Sequence, residues 1–265
     1  MKLQANPTVM GRIIPFEAKR EYQTLKRKAG LDNACATCPV ERQCWSSGFS
    51  AEELALVEEA LVYTRRKLAR GSALYRAGDH FDYFYAVRTG FFKSVMIHLG
   101  GQEQVTGFQM PGELLGFDGL CEGRYTSDAI AIEDSEVCAI PYRAMDELSH
   151  QMPSLGRHFH QLMSRQIVRE QGIMTLLGVM TAEERVAAFL LNLSSRYKNL
   201  GYSPAVFSLR MTREDIGNFL GLKVETVSRA FSKFVHNGLI YAANKDIELI
   251  DRPGLKKILH GFSLP

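Results

Sequence analysis

The chain changes character at Pro141, and that change limits its fold more than any other feature of the sequence. From about residue 62 to 140 it offers short runs rich in Val, Ile, Phe and Tyr: YFYAVRTG, FFKSVMIHLGG, EQVTGFQMPGE and YTSDAIAIEDSEVCAIPY. Thr89-Gly90 and Gly100-Gly101 are turn signals between them. Strands this short and this regularly spaced predict an antiparallel barrel or roll. After Pro141 the pattern turns helical. A block of strands followed by a block of helices is an α+β arrangement, and 265 residues suffice for two modest domains.

Besides a short helix in FEAKREYQTLKRKAG (16–30) within an otherwise loose extension, three helices are predicted outside the C-terminal segment. AEELALVEEAL (51–61) spaces Leu54, Val57 and Leu61 helically, with Ser50 as N-cap. Residues 152–178 have Pro153 near the start and Gly178 past the end, as a helix would. Within them Met163, Ile167, Glu170, Met174 and Leu177 follow at spacings of four, three, four and three, a heptad seam with one acidic member. The stripe has two possible partners, a second copy of the chain or the roll; the glutamate favours the first, because Glu is rarely buried alone in a core. TAEERVAAFLLNLSSRYKNLG (181–201) is the third, with Thr181 and Glu184 forming a capping box.

In MTREDIGNFLGLKVETVSRAFSKFVHNGLI (211–240), Thr212 and Asp215 open a helix that runs to Leu220, and Gly221 breaks it. A second helix starts near Val224 and ends at Gly238, with Val227, Ala230, Phe231 and Phe234 as its buried stripe. Two short helices joined by a tight turn make a helix-turn-helix. Its second helix then exposes Glu225, Thr226, Ser228, Arg229, Ser232 and Lys233. Arginine can grip guanine O6 and N7 together, glutamate can accept from cytosine N4, and serine can meet base or backbone. LIYAANKDIELID (239–251) alternates around Asn244-Lys245 and reads as a hairpin wing. The other reading of the segment is a plain helical hairpin with a solvated face.

CATCPVERQC (35–44) holds three of the five cysteines. The N-terminus has no signal-peptide core, and the longest apolar run, around Val186–Leu193, is too short for a membrane span. The chain is therefore expected in the cytoplasm, away from any membrane, where thiols stay reduced. A tight cysteine group there more often means a metal or cluster than a disulfide. A fourth ligand has to come from Cys121 or Cys138. Zinc ligands usually come as two close pairs, so three plus one distant suits zinc less well. A zinc- or thiol-stabilised protein without a sensing role stays as the alternative. Hydrophobic and charged contents of 46% and 23% are those of an ordinary globular protein, and a net charge of +3 permits nucleic-acid binding without requiring it. No nucleophile–base set or phosphate loop stands out, so an enzyme is not expected. His158 and His160, two apart on a helix, do not share a face and are expected to be surface or interface residues.

Together these pieces resemble the FNR (fumarate and nitrate reduction) branch of the CRP/FNR superfamily of bacterial transcription regulators. The likeness is carried by the cysteine spacing at 35–44, EQVTGF (103–108), PGELLGFD (111–118), EVCAIP (136–141), AEERVAAFLLNLS (182–194) and MTREDIGNFLGLKVETVSR (211–229). It implies an N-terminal extension (1–30), a cluster-binding segment (31–50), a β-roll sensor domain (51–150), a dimerisation helix (151–180) and a winged helix-turn-helix (181–265). It also implies a homodimer seamed by Met163, Ile167, Glu170, Met174 and Leu177, and a [4Fe–4S] cluster that oxygen destroys. The family pattern selects Cys138 to join Cys35, Cys38 and Cys44, leaving Cys121 as a small, partly buried apolar residue. Glu225, Ser228 and Arg229 would read TTGAT half-sites of an inverted repeat in double-stranded DNA. RNA polymerase is the further implied partner. Pro39, Gln43 and Trp45 are expected to tune how quickly oxygen attacks. Cyclic-AMP receptors meet the nucleotide phosphate with an Arg-Ser pair; the corresponding places here are Tyr125 and Thr126, with Arg124 one residue early and so turned to the other face. No cyclic nucleotide is expected to bind.

Overall fold

The structure, a computed structural model, describes residues 38, 40, 44–61, 64–98 and 100–259. The first helix, α1 (Ala51–Ala60), opens on a capping box in which Ser50 accepts from the Glu53 N–H and the Glu53 carboxylate accepts from the Ser50 N–H. Eight strands then form two four-stranded antiparallel sheets. One runs in the order β1 (Thr64–Leu68), β8 (Ser135–Pro141), β3 (Tyr83–Thr89), β6 (Leu114–Leu115). The other runs β2 (Ala73–Tyr75), β7 (Asp128–Ala131), β4 (Phe92–Ile97), β5 (Glu103–Gln109). Successive side chains of a strand face opposite ways. In β8 this buries Val137 and Ala139 in the roll and turns Glu136 and Cys138 outward, half-buried.

The chain then enters α2 (Tyr142–Gln151) and, after Met152, α3 (Pro153–Val179). At 27 residues α3 is about 40 Å long. It does not stop before Gly178, as the sequence suggested, but carries that residue inside its last turn. The reason is Arg185, whose guanidinium donates to the carbonyls of Leu177 (2.7 Å), Met180 (2.9 Å) and Leu220 (3.0 Å). Those bonds satisfy orphan carbonyls at a helix end without a glycine cap. Arg185 belongs to α4 (Ala182–Asn199), which opens on the expected Thr181–Glu184 capping box.

The C-terminal part is β9 (Val206–Ser208), α5 (Arg213–Leu220), α6 (Val224–His236), β10 (Ile240–Ala243), β11 (Asp246–Leu249) and α7 (Arg252–Ile258). Thr212 and Asp215 box the start of α5, and Gly221, left-handed at φ 63°, ends it. The three strands pair in the order β10–β11–β9, and the hairpin turns on Asn244, at φ 54°. This is a winged helix-turn-helix behind an antiparallel roll, the α+β arrangement expected.

One apolar core runs through both parts. Phe91, Val95 and Phe108 of the roll join Leu176 and Met180, then Val186, Leu190, Ile216, Phe231 and Phe234. Polar contacts reinforce the junction. Asn218 on α5 caps the free edge of β5, its Oδ1 accepting from the Val105 N–H (2.5 Å) and its Nδ2 donating to the Glu103 carbonyl (2.8 Å). Lys93 donates to Asp215 at 2.6 Å. Glu113, after β5, binds Arg196 of α4 at 2.6 Å and Arg169 of α3 at 3.2 Å. No helix among the described residues is long and apolar enough to cross a membrane.

Candidate cluster site and nucleic-acid interface

Cys138 stands mid-strand on the outer face of β8, between its register partners Arg65 on β1 and Ala86 on β3. An interior strand is a rigid platform for a ligand. Cys38 and Cys44 come up to this face: the three thiols lie close enough that the charge on one disfavours ionisation of another. Burial pushes the Cys44 thiol up to about 11, with Cys138 and Cys38 adding to the rise. The backbone N–H groups of Ser46 and Trp45 donate to its sulfur and oppose that rise. The Cys138 thiol is raised too, by burial first and then by Cys38, against the pull of Arg65 and Arg88. Cys35 lies outside the described residues, as do Pro39, Gln43 and residues 1–30.

Arg88 owes its place to a register shift between Val87 and Thr89 that makes it an extra residue in β3. Such bulges re-aim a side chain. Its guanidinium pairs with Glu136, on the Cys138 face of β8, and also donates to Cys38.

Three neighbouring thiols, two arginines and two N–H donors to sulfur match the needs of an anionic thiolate-ligated iron–sulfur centre. Among the described residues, no three of His, Cys, Asp and Glu close on a single point as the ligands of one ion do. Cys121 is no part of this group; it is exposed rather than partly buried, because Phe117–Gly119 forms a 3-10 turn that leads it out to solvent.

The sequence did not reveal how this face meets α3. Trp45, next to Cys44, is 3% exposed. Its carbonyl accepts from His158 Nε2 of α3 at 2.5 Å, and the Phe49 ring lies 4.9 Å from the imidazole. His158 is thus half-buried and bonded rather than a surface histidine, while His160 is exposed. The link joins residues 113 apart in sequence, and no local pattern signals such a pair.

Along α3 the five seam residues divide. Met163 and Leu177 are half-buried, whereas Ile167, Glu170 and Met174 are exposed, Met174 by 70%. Val168 and Val179 are also open. Glu170 accepts from Gln166 at 2.9 Å. Large apolar side chains left uncovered along one helix mark an interaction surface.

On α6, Glu225, Ser228, Arg229, Ser232 and Lys233 are exposed and Thr226 half-exposed, over the buried stripe of Val227, Ala230, Phe231 and Phe234. Arg229 donates to Thr226 Oγ1 at 3.3 Å, and Lys233 pairs with Glu183 of α4 at 2.6 Å. Arg213, at the start of α5, stacks 3.3 Å above the Phe231 ring and locks the two helices together. Burial lowers its guanidinium to about 10.

Tyr125 is buried and stacked 3.8 Å from Tyr75, with its hydroxyl donating to the Tyr83 carbonyl. Arg124 is exposed and donates to the Gly78 carbonyl at 2.6 Å. The two side chains take opposite faces.

Comparison with known proteins agrees with this architecture. The family model of the cyclic nucleotide-binding domain matches residues 65–152, and that of the Crp-like helix-turn-helix domain matches residues 184–258. The chain is 47% identical to the transcriptional regulatory protein btr of Bordetella pertussis over 225 residues, 85% of this chain and 93% of that protein. It is 39% identical to the fumarate and nitrate reduction regulatory protein of Escherichia coli over 224 residues, 84% of this chain and 89% of that one. Among solved structures, FixK2 from Bradyrhizobium japonicum superposes with a TM-score of 0.70 at 29% identity, over 77% of this chain and 100% of that one.

Proposed function

Because the chain belongs to the FNR branch of the CRP/FNR family, and so is a DNA-binding transcription regulator rather than an enzyme, we propose that it is an oxygen-responsive one. In this reading Cys35, Cys38, Cys44 and Cys138 hold a [4Fe–4S] cluster in the absence of oxygen. The protein then dimerises and binds a TTGAT-N4-ATCAA-like inverted repeat, and in air it lets the DNA go. Bound on these thiolates, the cluster supplies a centre that oxygen oxidises and dismantles.

The observation that carries the reading is the nearness of Cys38 and Cys44 to Cys138 on the outer face of β8, close enough for each charge to be felt by its neighbours. Ligation fastens the cysteine segment to a rigid strand. Trp45, adjoining Cys44, then holds α3 through His158. Further along α3, Met163, Ile167, Glu170, Met174 and Leu177 meet their copies across a two-fold axis. Glu170 faces its own copy, so like charges weaken the pair and leave monomer and dimer nearly balanced. A coupling of about 1–3 kcal/mol is then enough to tip the balance. Paired recognition helices about 34 Å apart span one DNA turn, with Glu225, Ser228 and Arg229 at the base edges.

Residues 1–30 form an extension in this account, 31–50 the cluster segment, 51–150 the sensor roll, 151–180 the dimer helix and 181–265 the DNA-binding domain. The protein works in the cytoplasm, contacts RNA polymerase at its promoters and takes no cyclic nucleotide. Electronic absorption of anaerobically isolated protein tests the reading. A brown protein with a broad blue-region band that bleaches in air is expected. A colourless protein holding zinc would overturn it.

A further inference from the structure

Asp118 sits in the 3-10 turn Phe117–Gly119, which follows Gly116 at φ 101°. Its Oδ2 accepts from the Thr126 N–H (3.0 Å), the Thr126 hydroxyl (3.3 Å), the Ser127 N–H (2.9 Å) and the Ser127 hydroxyl (2.8 Å). Two successive backbone N–H groups and two hydroxyls aimed at one oxygen form an anion-binding concavity. Asp118, Thr126 and Ser127 also line a cavity of about 740 Å³ between the roll and α3, walled on the far side by Met163, Ile167 and Glu170. Four donors thus converge at the wall of a space large enough for a small ligand, and the chain's own carboxylate has taken them all.

We propose that Thr126 and Ser127 form a phosphate-type anion site that Asp118 fills from within, so that the cavity beside it is closed to phosphate-bearing ligands. The position supports this. Thr126 stands where a cyclic-AMP receptor places the serine of its phosphate-binding pair, in a segment matched by a cyclic nucleotide-binding family model. The guanidiniums nearby are engaged elsewhere: Arg124 is turned to the Gly78 carbonyl, Arg76 pairs with Asp128, and Arg169 and Arg196, which line the same cavity, both pair with Glu113. A second anion arriving beside Asp118 would meet its negative charge and find these four donors taken. Asp118 therefore accounts for a roll that keeps the ligand-binding architecture and refuses the ligand, independently of any cluster.

The test uses the full-length chain isolated without oxygen, with inorganic phosphate and then cyclic AMP titrated at constant ionic strength against chloride. The melting temperature of Asp118→Ala is expected to rise saturably with phosphate and that of the wild type to stay flat. Adding Ser127→Ala should abolish the rise. If Asp118→Ala folds only when phosphate is present, that also supports the proposal. If it does not fold at all, Asp118→Asn keeps a neutral acceptor in the same place and should show a weaker saturable rise. A folded Asp118 variant indifferent to phosphate, or a wild type stabilised equally, would overturn the proposal and leave Asp118 as a stitch between the 3-10 turn and β7.

Discussion

Cys138 and Cys121 have the same side chain, and their surroundings separate them. Cys138 shares a rigid face with two arginines and two further thiols, while Cys121 is exposed on a turn. Cys138→Ser is therefore expected to yield colourless anaerobic protein without bound iron and sulfide, and Cys121→Ser to keep the wild-type spectrum; iron and sulfide analysis checks both. Gly217 shows how one atom can matter in the DNA-reading unit. A Cβ there would stand 2.6 Å from the Leu222 carbonyl oxygen, inside the turn between α5 and α6. Gly217→Ala should cost about 1–3 kcal/mol in thermal unfolding, the size of an overpacking clash. Several residue assignments were legible in the sequence because their signals are local. The Ser50 cap, the boxes at Thr181–Glu184 and Thr212–Asp215, and the two faces of α6 all depend on neighbours three or four residues away. What escaped was set by distant partners. His158 on Trp45, Arg88 turned by a bulge and Asp118 under Thr126 and Ser127 each need the fold before they meet.

At the scale of elements, α3 connects the cysteine face to the seam. His158→Ala should leave anaerobic iron content unchanged and lower operator affinity about five- to tenfold, the loss of one hydrogen bond's worth of coupling. Anaerobic gel-shift titration with parallel iron analysis checks this; unchanged affinity would remove the link from the pathway. Glu113 ties the roll to both α3 and α4. Burial alone would raise its carboxyl, but Arg196, Arg169 and the Met110 N–H outweigh burial and hold it below the ordinary glutamate value of 4.5. A depressed acid adds stability that is present above its unfolded value and is lost as pH falls through the folded one. The contribution should therefore be whole at neutral pH and vanish on acidification below about 4.5, and Glu113→Gln should flatten that part of the stability–pH curve. Removing the charge leaves two arginines poorly paired, so the variant should be about 2–3 kcal/mol less stable at pH 7 by denaturant titration. The roll and the helix-turn-helix were both readable from period and turns. The end of α3 was not, because Arg185 of the next helix, rather than Gly178, decides where it stops.

For the whole molecule, the proposed switch couples a thiolate site, a long helix and a DNA-reading unit through a dimer held near balance. Ile167 and Met174 are uncovered in one chain, and Glu170 lies between them. Glu170→Ala is expected to dimerise and bind operator DNA even in air, read by sedimentation velocity; aerobic affinity equal to that of the wild type would remove Glu170 from the switch. The most direct test follows assembly state and operator binding of one anaerobic sample before and after air, with iron counted at each point, beside a variant carrying serine at 35, 38, 44 and 138. The account predicts a wild type that is dimeric, iron-loaded and bound, then monomeric, iron-free and released, and a variant that never leaves the second state. A serine variant that dimerises and binds the duplex as tightly as the anaerobic wild type would contradict it.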